Sequence, residues 1–167
     1  LERHLYRVSI ADGRIKQLTS STGKHATKVS NTGNFFLDQY SSPEVPNKAV
    51  LKDKNGKTIR EMLEAKNPLK DYNLGDMEIG SLKAADGETD LYYRLIKPEN
   101  FNPDKTYPAI VYVYGGPHAQ LVTKSWLGGA SLWNYYMAQE GYVVLTVDNR
   151  GSANRGYAFE SEIHRQV

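Results

Sequence analysis

Cysteine is absent from this chain of 167 residues, which excludes disulfide bonds, thiol nucleophiles and thiolate metal sites. Long hydrophobic runs are absent as well, since no apolar stretch reaches the roughly 18 residues that a membrane-spanning helix needs. The sequence contains neither a P-loop nor the glycine fingerprint of a dinucleotide-binding site. These absences remove several classes of enzyme and leave no membrane segment in this stretch of chain.

An excess of charge of one sign is also lacking. The 21 Lys and Arg residues and the 19 Asp and Glu residues give a formal net charge of +2, and the basic residues are scattered along the chain. Nucleic-acid binding requires a clustered basic stripe, so we expect no nucleic-acid partner. The chain is 40% hydrophobic and 24% charged, which is typical of a soluble globular domain.

Residues 1–63 have the pattern of short antiparallel strands. Asp12-Gly13 lies between two apolar segments and is typical of a type I′ hairpin turn. Further strand pairs are predicted on either side of Asn31–Asn34 and of Asn55-Gly56. Together these turns predict a β-meander. The pattern by itself fits half of a β-sandwich as well as it fits a propeller blade.

The pattern changes after residues 64–76, which are polar, contain Pro68 and Gly75, and are the best candidate linker. A further hairpin is predicted around Asp86-Gly87. The unbroken apolar run Tyr107–Tyr114 then predicts a strand that is buried on both faces.

A helix and a second apolar strand follow this run. Ala130–Glu140 carries apolar residues at the spacing of one helical face, and Gly141 is well placed to end the helix; these residues are Leu132, Trp133, Tyr136 and Met137. Tyr142–Val147 is the second strand. The order strand, helix, strand predicts a βαβ unit, whose strands are parallel with a right-handed crossover.

Two loops should therefore share one edge of this sheet. Tyr114 ends the first strand, and Gly115-Gly116 turns the backbone sharply behind it. Asp148–Ser152 follows the second strand. Open α/β sheets place their active sites at the edge formed by the carboxyl ends of the strands. We expect Tyr114 to present its hydroxyl to whatever binds above that edge.

Two segments resemble motifs of the prolyl oligopeptidase family of serine peptidases, and within it the dipeptidyl peptidase IV branch. They are Val113–Val122, with the sequence Val-Tyr-Gly-Gly-Pro-His-Ala-Gln-Leu-Val, and Asp148–Gly156, with the sequence Asp-Asn-Arg-Gly-Ser-Ala-Asn-Arg-Gly. The interval between the two segments also fits that branch. The resemblance is close over residues 72–167 and looser over residues 1–63.

The resemblance implies a mixed fold. An antiparallel β-meander, the last blade of a β-propeller, would be followed by a partial α/β-hydrolase fold with a mostly parallel sheet. Residues 1–70 would be the end of the propeller domain. Residues 71–167 would be the first part of the catalytic domain.

The function implied is that of a serine exopeptidase, which releases N-terminal dipeptides of the Xaa-Pro type from peptide substrates by acyl-enzyme chemistry. The nucleophile elbow Gly-x-Ser-x-Gly is missing, since Gly129–Trp133 ends in tryptophan inside the predicted helix. The chain also opens at Leu1 rather than at a methionine, as a cut end would. We therefore expect a fragment that lacks the serine, aspartate and histidine of the triad and is inactive alone. The alternatives are an acylaminoacyl- or prolyl oligopeptidase of the same family, or a non-catalytic binding or scaffold relative.

The resemblance gives Tyr114 a catalytic role, in which its hydroxyl donates to the oxyanion of the tetrahedral intermediate. Gly115 and Gly116 should let the backbone approach a bound carbonyl. Arg150 is expected to tie its loop through carboxylate or carbonyl contacts, with substrate contact as the alternative. His118 and Asp148 are interpreted as non-catalytic, because the family takes its acid and base from beyond the nucleophile.

No metal site or cofactor is expected. The histidines have no pair at metal-ligand spacing, and the resemblance implies no cofactor. Unpaired sheet edges and an uncovered apolar face predict self-association. Only the resemblance favours a periplasmic or secreted location. It leaves dipeptide specificity open, because the glutamates that bind the substrate amine belong to an earlier part of the propeller.

Overall fold

Antiparallel hairpins make up the first part of the chain in the computed structural model, which describes residues 1–165. A two-stranded ribbon precedes a four-stranded sheet whose strands lie side by side in chain order. The strands are β1 (Tyr6–Val8), β2 (Ile15–Gln17), β3 (Lys24–Val29), β4 (Phe35–Ser41), β5 (Lys48–Asp53) and β6 (Thr58–Glu64). The predicted meander is confirmed, with turns at Asn31–Asn34 and Asn55-Gly56 as expected.

The first hairpin differs from its prediction. The loop between β1 and β2 is closed by hydrogen bonds between Ser9 and residues 13 and 14, and the N–H of Gly13 lies 2.8 Å from the carbonyl oxygen of Ser9. A type I′ turn needs positive φ at both central residues, whereas Gly13 has φ +69° and Asp12 has no positive φ. The type I′ prediction is therefore wrong. The carboxylate of Asp12 accepts a hydrogen bond from the N–H of Arg14, which closes the turn through a side chain instead.

A second group of elements begins after the linker. They are β7 (Met77–Lys83), β8 (Asp90–Ile96), β9 (Ala109–Tyr112), α1 (Leu132–Gln139), β10 (Val143–Val147) and α2 (Tyr157–Ser161). The sheet order is β7-β8-β10-β9, with β9 and β10 parallel and the other pairs antiparallel. No helix in the described part of the chain is long and apolar enough to cross a membrane.

The predicted fold class is confirmed, as a meander followed by a partial α/β sheet. The sheet is mixed rather than mostly parallel in this stretch, because β7 and β8 form a hairpin that pairs antiparallel with β10. The predicted β9-α1-β10 order and the parallel pairing of its strands are both present.

The elements form two compact units. The first comprises Leu1–Lys70 together with Thr123–Leu127, and the second comprises Asp71–Val122 and the described residues from Gly128 onward. Gln166 and Val167, at the end of the predicted second domain, lie outside the described residues. The assignment of residues 1–70 and 71–167 to a propeller and a hydrolase domain stays a prediction.

Burial in the second unit differs from expectation in one strand. The prediction that the strand ending at Tyr114 is buried on both faces is wrong, since Val111 is 60% exposed and Tyr112 is 44% exposed. β9 pairs only with β10 among the described strands. It is therefore an edge strand of this sheet.

Helix α1 presents its predicted apolar face to solvent. Leu132, Trp133 and Tyr136 are each about half exposed. The buried residues of α1 are Asn134, Tyr135 and Ala138, which share the i, i+1, i+4 spacing of the predicted face. The spacing of the apolar residues predicted the helix correctly, but it did not predict which face of the helix is buried.

The interior of the first unit contains a charged cluster. The side chains of His25 and Asp38 are fully buried, with Nδ1 of His25 2.8 Å from Oδ1 of Asp38. The Nζ atom of Lys52 lies 3.2 Å from Oδ2 of the same carboxylate. Nε2 of His25 is 2.8 Å from the carbonyl oxygen of Ser21. Because both ring nitrogens face acceptors, the doubly protonated imidazolium satisfies both contacts.

The pKa values of the pair follow from these contacts. Burial by itself would lower the pKa of His25, but hydrogen bonds to Asp38 and to the Ser21 carbonyl outweigh burial and raise it above 6.5. Burial would likewise raise the pKa of Asp38, but His25 and Lys52 lower it below 3.8. A raised histidine pKa stabilises the fold below pH 6.5, and this contribution is lost as the pH rises through the folded-state value. A lowered aspartate pKa contributes above pH 3.8, and this contribution is lost as the pH falls through the folded-state value.

Replacing His25 with glutamine should remove this pH-dependent stabilisation. Between pH 3.8 and 6.5, the free energy of unfolding of the wild type should exceed that of the variant. Loss of one partner from a buried ion pair costs about 3–5 kcal/mol. The difference should shrink as the pH rises further, because His25 loses its proton in the folded protein. Urea unfolding followed by circular dichroism at a series of pH values measures it.

His164, which is exposed, supplies the matched control. Substitution of His164 by glutamine should leave the free energy of unfolding unchanged at every pH. A difference between the wild type and His25→Gln that is independent of pH would contradict the assignment of a charged imidazolium.

Candidate functional site

Tyr114 lies two residues beyond β9, in a segment that we term the Tyr114 loop (residues 113–122). Its side chain is 62% exposed, and its hydroxyl donates no hydrogen bond to another described residue. Gly115 has φ +69°, a conformation that costs glycine little and other residues more. A Cβ atom on Gly116 would lie 2.9 Å from Cε1 of Tyr114, so the phenol ring packs directly against this glycine. The glycine pair thus provides both the turn and the surface on which the ring lies.

A second loop, residues 148–156, follows β10 and contacts the Tyr114 loop. The N–H of His118 donates to the carbonyl of Gly151 at 2.9 Å, and the N–H of Ala153 donates to the carbonyl of Ala119 at 3.1 Å. Parallel pairing of β9 with β10 explains this arrangement, because both loops begin at the same edge of the sheet. The structure thus brings together the two segments that the sequence singled out.

Asp148 anchors the far end of the Tyr114 loop. Its side chain is buried, and its Oδ1 and Oδ2 atoms accept hydrogen bonds from the N–H groups of Leu121 and Val122 at 2.8 and 3.0 Å. Burial raises the pKa of Asp148, against the lowering effect of these two N–H groups and of the positive charge of Arg94. Asp148 was interpreted from the sequence as non-catalytic, but its hydrogen bonds to the Tyr114 loop were not predicted.

Arg94, on β8, is the neighbouring buried charge. It is 2% exposed, and burial lowers its pKa from the usual arginine value. Its guanidinium donates to the carbonyls of Leu121 at 2.8 Å and Gly128 at 2.7 Å, and to the hydroxyl of Thr146 at 3.0 Å. Arg94 was not identified from the sequence. Strand alternation could have found it, because Arg94 and the fully buried Ile96 share one face of β8.

Arg150 is held by two carboxylates. Its Nη2 atom lies 2.7 Å from Oδ2 of Asp86, in the turn between β7 and β8, and its Nη1 atom lies 2.9 Å from Oε1 of Glu162, beyond α2. These ion pairs favour the interpretation that Arg150 ties its loop. Nothing in this arrangement supports the alternative that Arg150 contacts substrate.

The histidine and serine near the loops have ordinary contacts. The side chain of His118 is 76% exposed, with Nδ1 3.6 Å from Oε2 of Glu160. Ser152 donates to the carbonyl of Asn149 at 2.6 Å, as a turn residue does. A cleft of about 700 Å³ lies beside Pro117 and His118. Tyr114 is not part of its lining. Among residues 1–165, no group of three His, Asp or Glu side chains is arranged to hold a metal ion.

The arrangement provides an exposed phenol hydroxyl at the carboxyl edge of a parallel strand pair. Ser152 lies in the second loop and donates to the carbonyl of Asn149. Ser131 lies in Gly129–Trp133, the segment compared with the nucleophile elbow, and donates to the side chain of Asn134. Neither serine bonds to a histidine. The site thus offers the hydroxyl of Tyr114 as a hydrogen-bond donor, and neither of these serines is an activated nucleophile.

Comparison with known families gives two matches. Residues 1–47 match the model described as the dipeptidyl peptidase IV N-terminal region. Residues 130–167 match the model described as the prolyl oligopeptidase family. The two matches lie on the predicted propeller and hydrolase parts respectively.

Curated proteins and solved structures agree with these matches. The chain is 36% identical over 171 residues to dipeptidyl peptidase 8 of Homo sapiens, covering 96% of this chain and 19% of that protein. It is similar to a crystal structure of a candidate dipeptidyl aminopeptidase IV from Bacteroides ovatus, at 45% identity and a TM-score of 0.88 over 96% of this chain and 23% of the other. Porphyromonas gingivalis dipeptidyl peptidase 4 gives a TM-score of 0.91 at 26% identity, over 99% of this chain and 24% of the other. The chain therefore spans about a fifth to a quarter of the length of these relatives.

Proposed function

The chain belongs to the prolyl oligopeptidase family, in its dipeptidyl peptidase IV branch, and on that basis we propose that it is part of a serine peptidase. The complete protein would release N-terminal dipeptides, of the Xaa-Pro type, from peptide substrates by acyl-enzyme chemistry. The dipeptidyl peptidase names of its relatives favour this over the other activities of the family.

The observation that carries the proposal is the exposed phenol of Tyr114 at the carboxyl edge of the β9-β10 pair. A hydroxyl in this position can donate to the oxyanion that forms when a nucleophile attacks the substrate carbonyl. Loss of such a donor typically costs about 10²–10³ in kcat. The hydroxyl has no partner among the described residues, so it need not break an internal hydrogen bond in order to donate to the oxyanion.

This chain by itself should not hydrolyse a chromogenic Xaa-Pro substrate. Its sequence has no Gly-x-Ser-x-Gly motif, and an oxyanion donor without a nucleophile and base cannot form an acyl-enzyme. The measurement is absorbance of the released chromophore against a blank without protein. Turnover above the blank would refute the proposal that the chain is an inactive part of the enzyme.

In the complete protein, Tyr114→Phe should lower kcat by about 10²–10³ while KM changes little. The melting temperature should hardly move, because the substitution removes an exposed hydroxyl that has no partner among the described residues. Steady-state kinetics and thermal unfolding measure both effects. Tyr72→Phe is the control, since Tyr72 is similarly exposed, at 64%, and lies in the predicted linker. Wild-type kcat in Tyr114→Phe would refute the oxyanion role of Tyr114.

We also propose that the chain self-associates through the second unit. β9 is an edge strand, and Val111 on β9 and Trp133 on α1 are both exposed; exposed strand edges and apolar faces favour association. Light scattering should give a mass above that of the monomer, and Val111→Lys should lower it, because charge on an edge strand opposes pairing. Glu140→Lys, at an exposed position after α1, is the charge control. A stable monomer at all concentrations would contradict the proposal.

A further inference from the structure

Both backbone polar groups of Leu121 are bonded to buried charged side chains. Its N–H donates to Oδ1 of Asp148 at 2.8 Å, and its carbonyl accepts from Nη1 of Arg94 at 2.8 Å. The next N–H, that of Val122, donates to Oδ2 of Asp148 at 3.0 Å. One peptide segment at the end of the Tyr114 loop is therefore held on both sides by ionic groups.

These two side chains are themselves held by regular structure. Arg94 on β8 is in register with Thr146 on β10. Asp148 is two residues further along and so lies on the same face as Thr146. The N–H of Asp148 donates to the carbonyl of Tyr92 at 2.9 Å, so the ladder with β8 continues past the end of β10. The two charges thus join the Tyr114 loop to the centre of the sheet.

Burying Arg94 and Asp148 costs more free energy than an apolar contact in the same place would. Arg94 is 2% exposed and Asp148 is 4% exposed, and Nε of Arg94 has no hydrogen-bond partner among the described residues. Burying ionic groups carries a desolvation penalty that an apolar contact would avoid. Their benefit lies in geometry, because charge-assisted hydrogen bonds fix a peptide more tightly than neutral ones do.

The loop needs such an anchor because of its glycines. Gly115 and Gly116 allow the backbone many conformations, and they directly follow the residue that presents the phenol. β9 fixes the loop before Tyr114. Arg94 and Asp148 fix it after the glycines.

We propose that Arg94 and Asp148 are positioning residues, which hold the end of the Tyr114 loop so that the phenol stays over the edge of the sheet. This inference rests on the proposed oxyanion role of Tyr114. Neither residue would touch the substrate, and both would act through the Tyr114 loop.

The test uses the complete protein with Asp148→Asn and Arg94→Met. Asparagine keeps the shape of Asp148 but places an NH₂ donor against one of the two N–H groups. Each variant should lower kcat by about 10- to 100-fold, as misplacement of a reacting group by about 1 Å does, while KM changes by less than about twofold. Asp104→Asn and Arg60→Met, at exposed positions, control for the loss of each charge and should have wild-type kinetics.

A double variant separates positioning from general destabilisation. If Asp148 acts through Tyr114, Asp148→Asn combined with Tyr114→Phe should have the kcat of Tyr114→Phe alone, because the donor is already lost. An effect of Asp148→Asn on catalysis that does not pass through Tyr114 would instead multiply with the effect of Tyr114→Phe. Rates are taken per mole of folded enzyme, from circular dichroism. Thr146→Val, which removes a hydroxyl acceptor of Arg94, is a milder variant that should lower kcat by a smaller factor.

The outcomes distinguish this inference from the proposed function. If Tyr114→Phe is impaired but Asp148→Asn and Thr146→Val keep wild-type kcat, or if the effects multiply, the positioning role is overturned and the peptidase proposal stands. If Tyr114→Phe keeps wild-type kcat, the oxyanion role of Tyr114 fails and the positioning role fails with it. If the complete wild-type protein does not hydrolyse the Xaa-Pro substrate, the proposed function itself fails.

Discussion

Parallel hydrogen bonding between β9 and β10, with Ala109 opposite Val143 and Tyr112 opposite Thr146, determines where both site loops begin. Tyr114 and Asp148 each follow these final partners by two residues. In a parallel pair the carboxyl ends of the strands coincide, so the two loops begin side by side. Hydrogen bonds from His118 to Gly151 and from Ala153 to Ala119 then join them. Antiparallel pairing would have sent the loops to opposite edges. The candidate site is thus a consequence of one strand register.

In both units, a buried cation connects a strand to a neighbouring strand and to a segment of irregular backbone. In the first, His25 on β3 bonds to Asp38 on β4 and to the carbonyl of Ser21, which precedes the strand. In the second, Arg94 on β8 bonds to Thr146 on β10 and to the carbonyl of Leu121 in a loop. Each cation bonds to a neighbouring strand and to an irregular segment of backbone. Backbone outside regular structure has carbonyls without a partner in a helix or sheet. His25 bonds to one such carbonyl, and Arg94 bonds to two.

Local chemistry made much of the fold predictable. Asn55-Gly56 and Asp86-Gly87 marked their turns correctly, because a turn depends on the φ values that its own residues can adopt. Burial was less predictable, since it depends on which elements cover a strand or a helix. Val111 looked like a core residue and is exposed. Arg94 was not singled out from the sequence and is buried. Tyr114 could be singled out from its motif. Strand alternation could have indicated that Arg94 is buried, but the contacts of Arg94 and Asp148 with the Tyr114 loop could not be predicted, because these residues are adjacent only in the folded sheet.

The phenol that we propose as the oxyanion donor is positioned by residues of the second unit, without the nucleophile that it would serve. Gly116 supports the ring of Tyr114, β9 fixes the chain before it, and Asp148 fixes the loop after it. All of these contacts lie within residues of the second unit. Preorganised donors are effective because they need no rearrangement when charge develops on the substrate. Ordering the loop costs free energy, because the charges of Arg94 and Asp148 must be buried. This cost arises when the chain folds, and not when substrate binds.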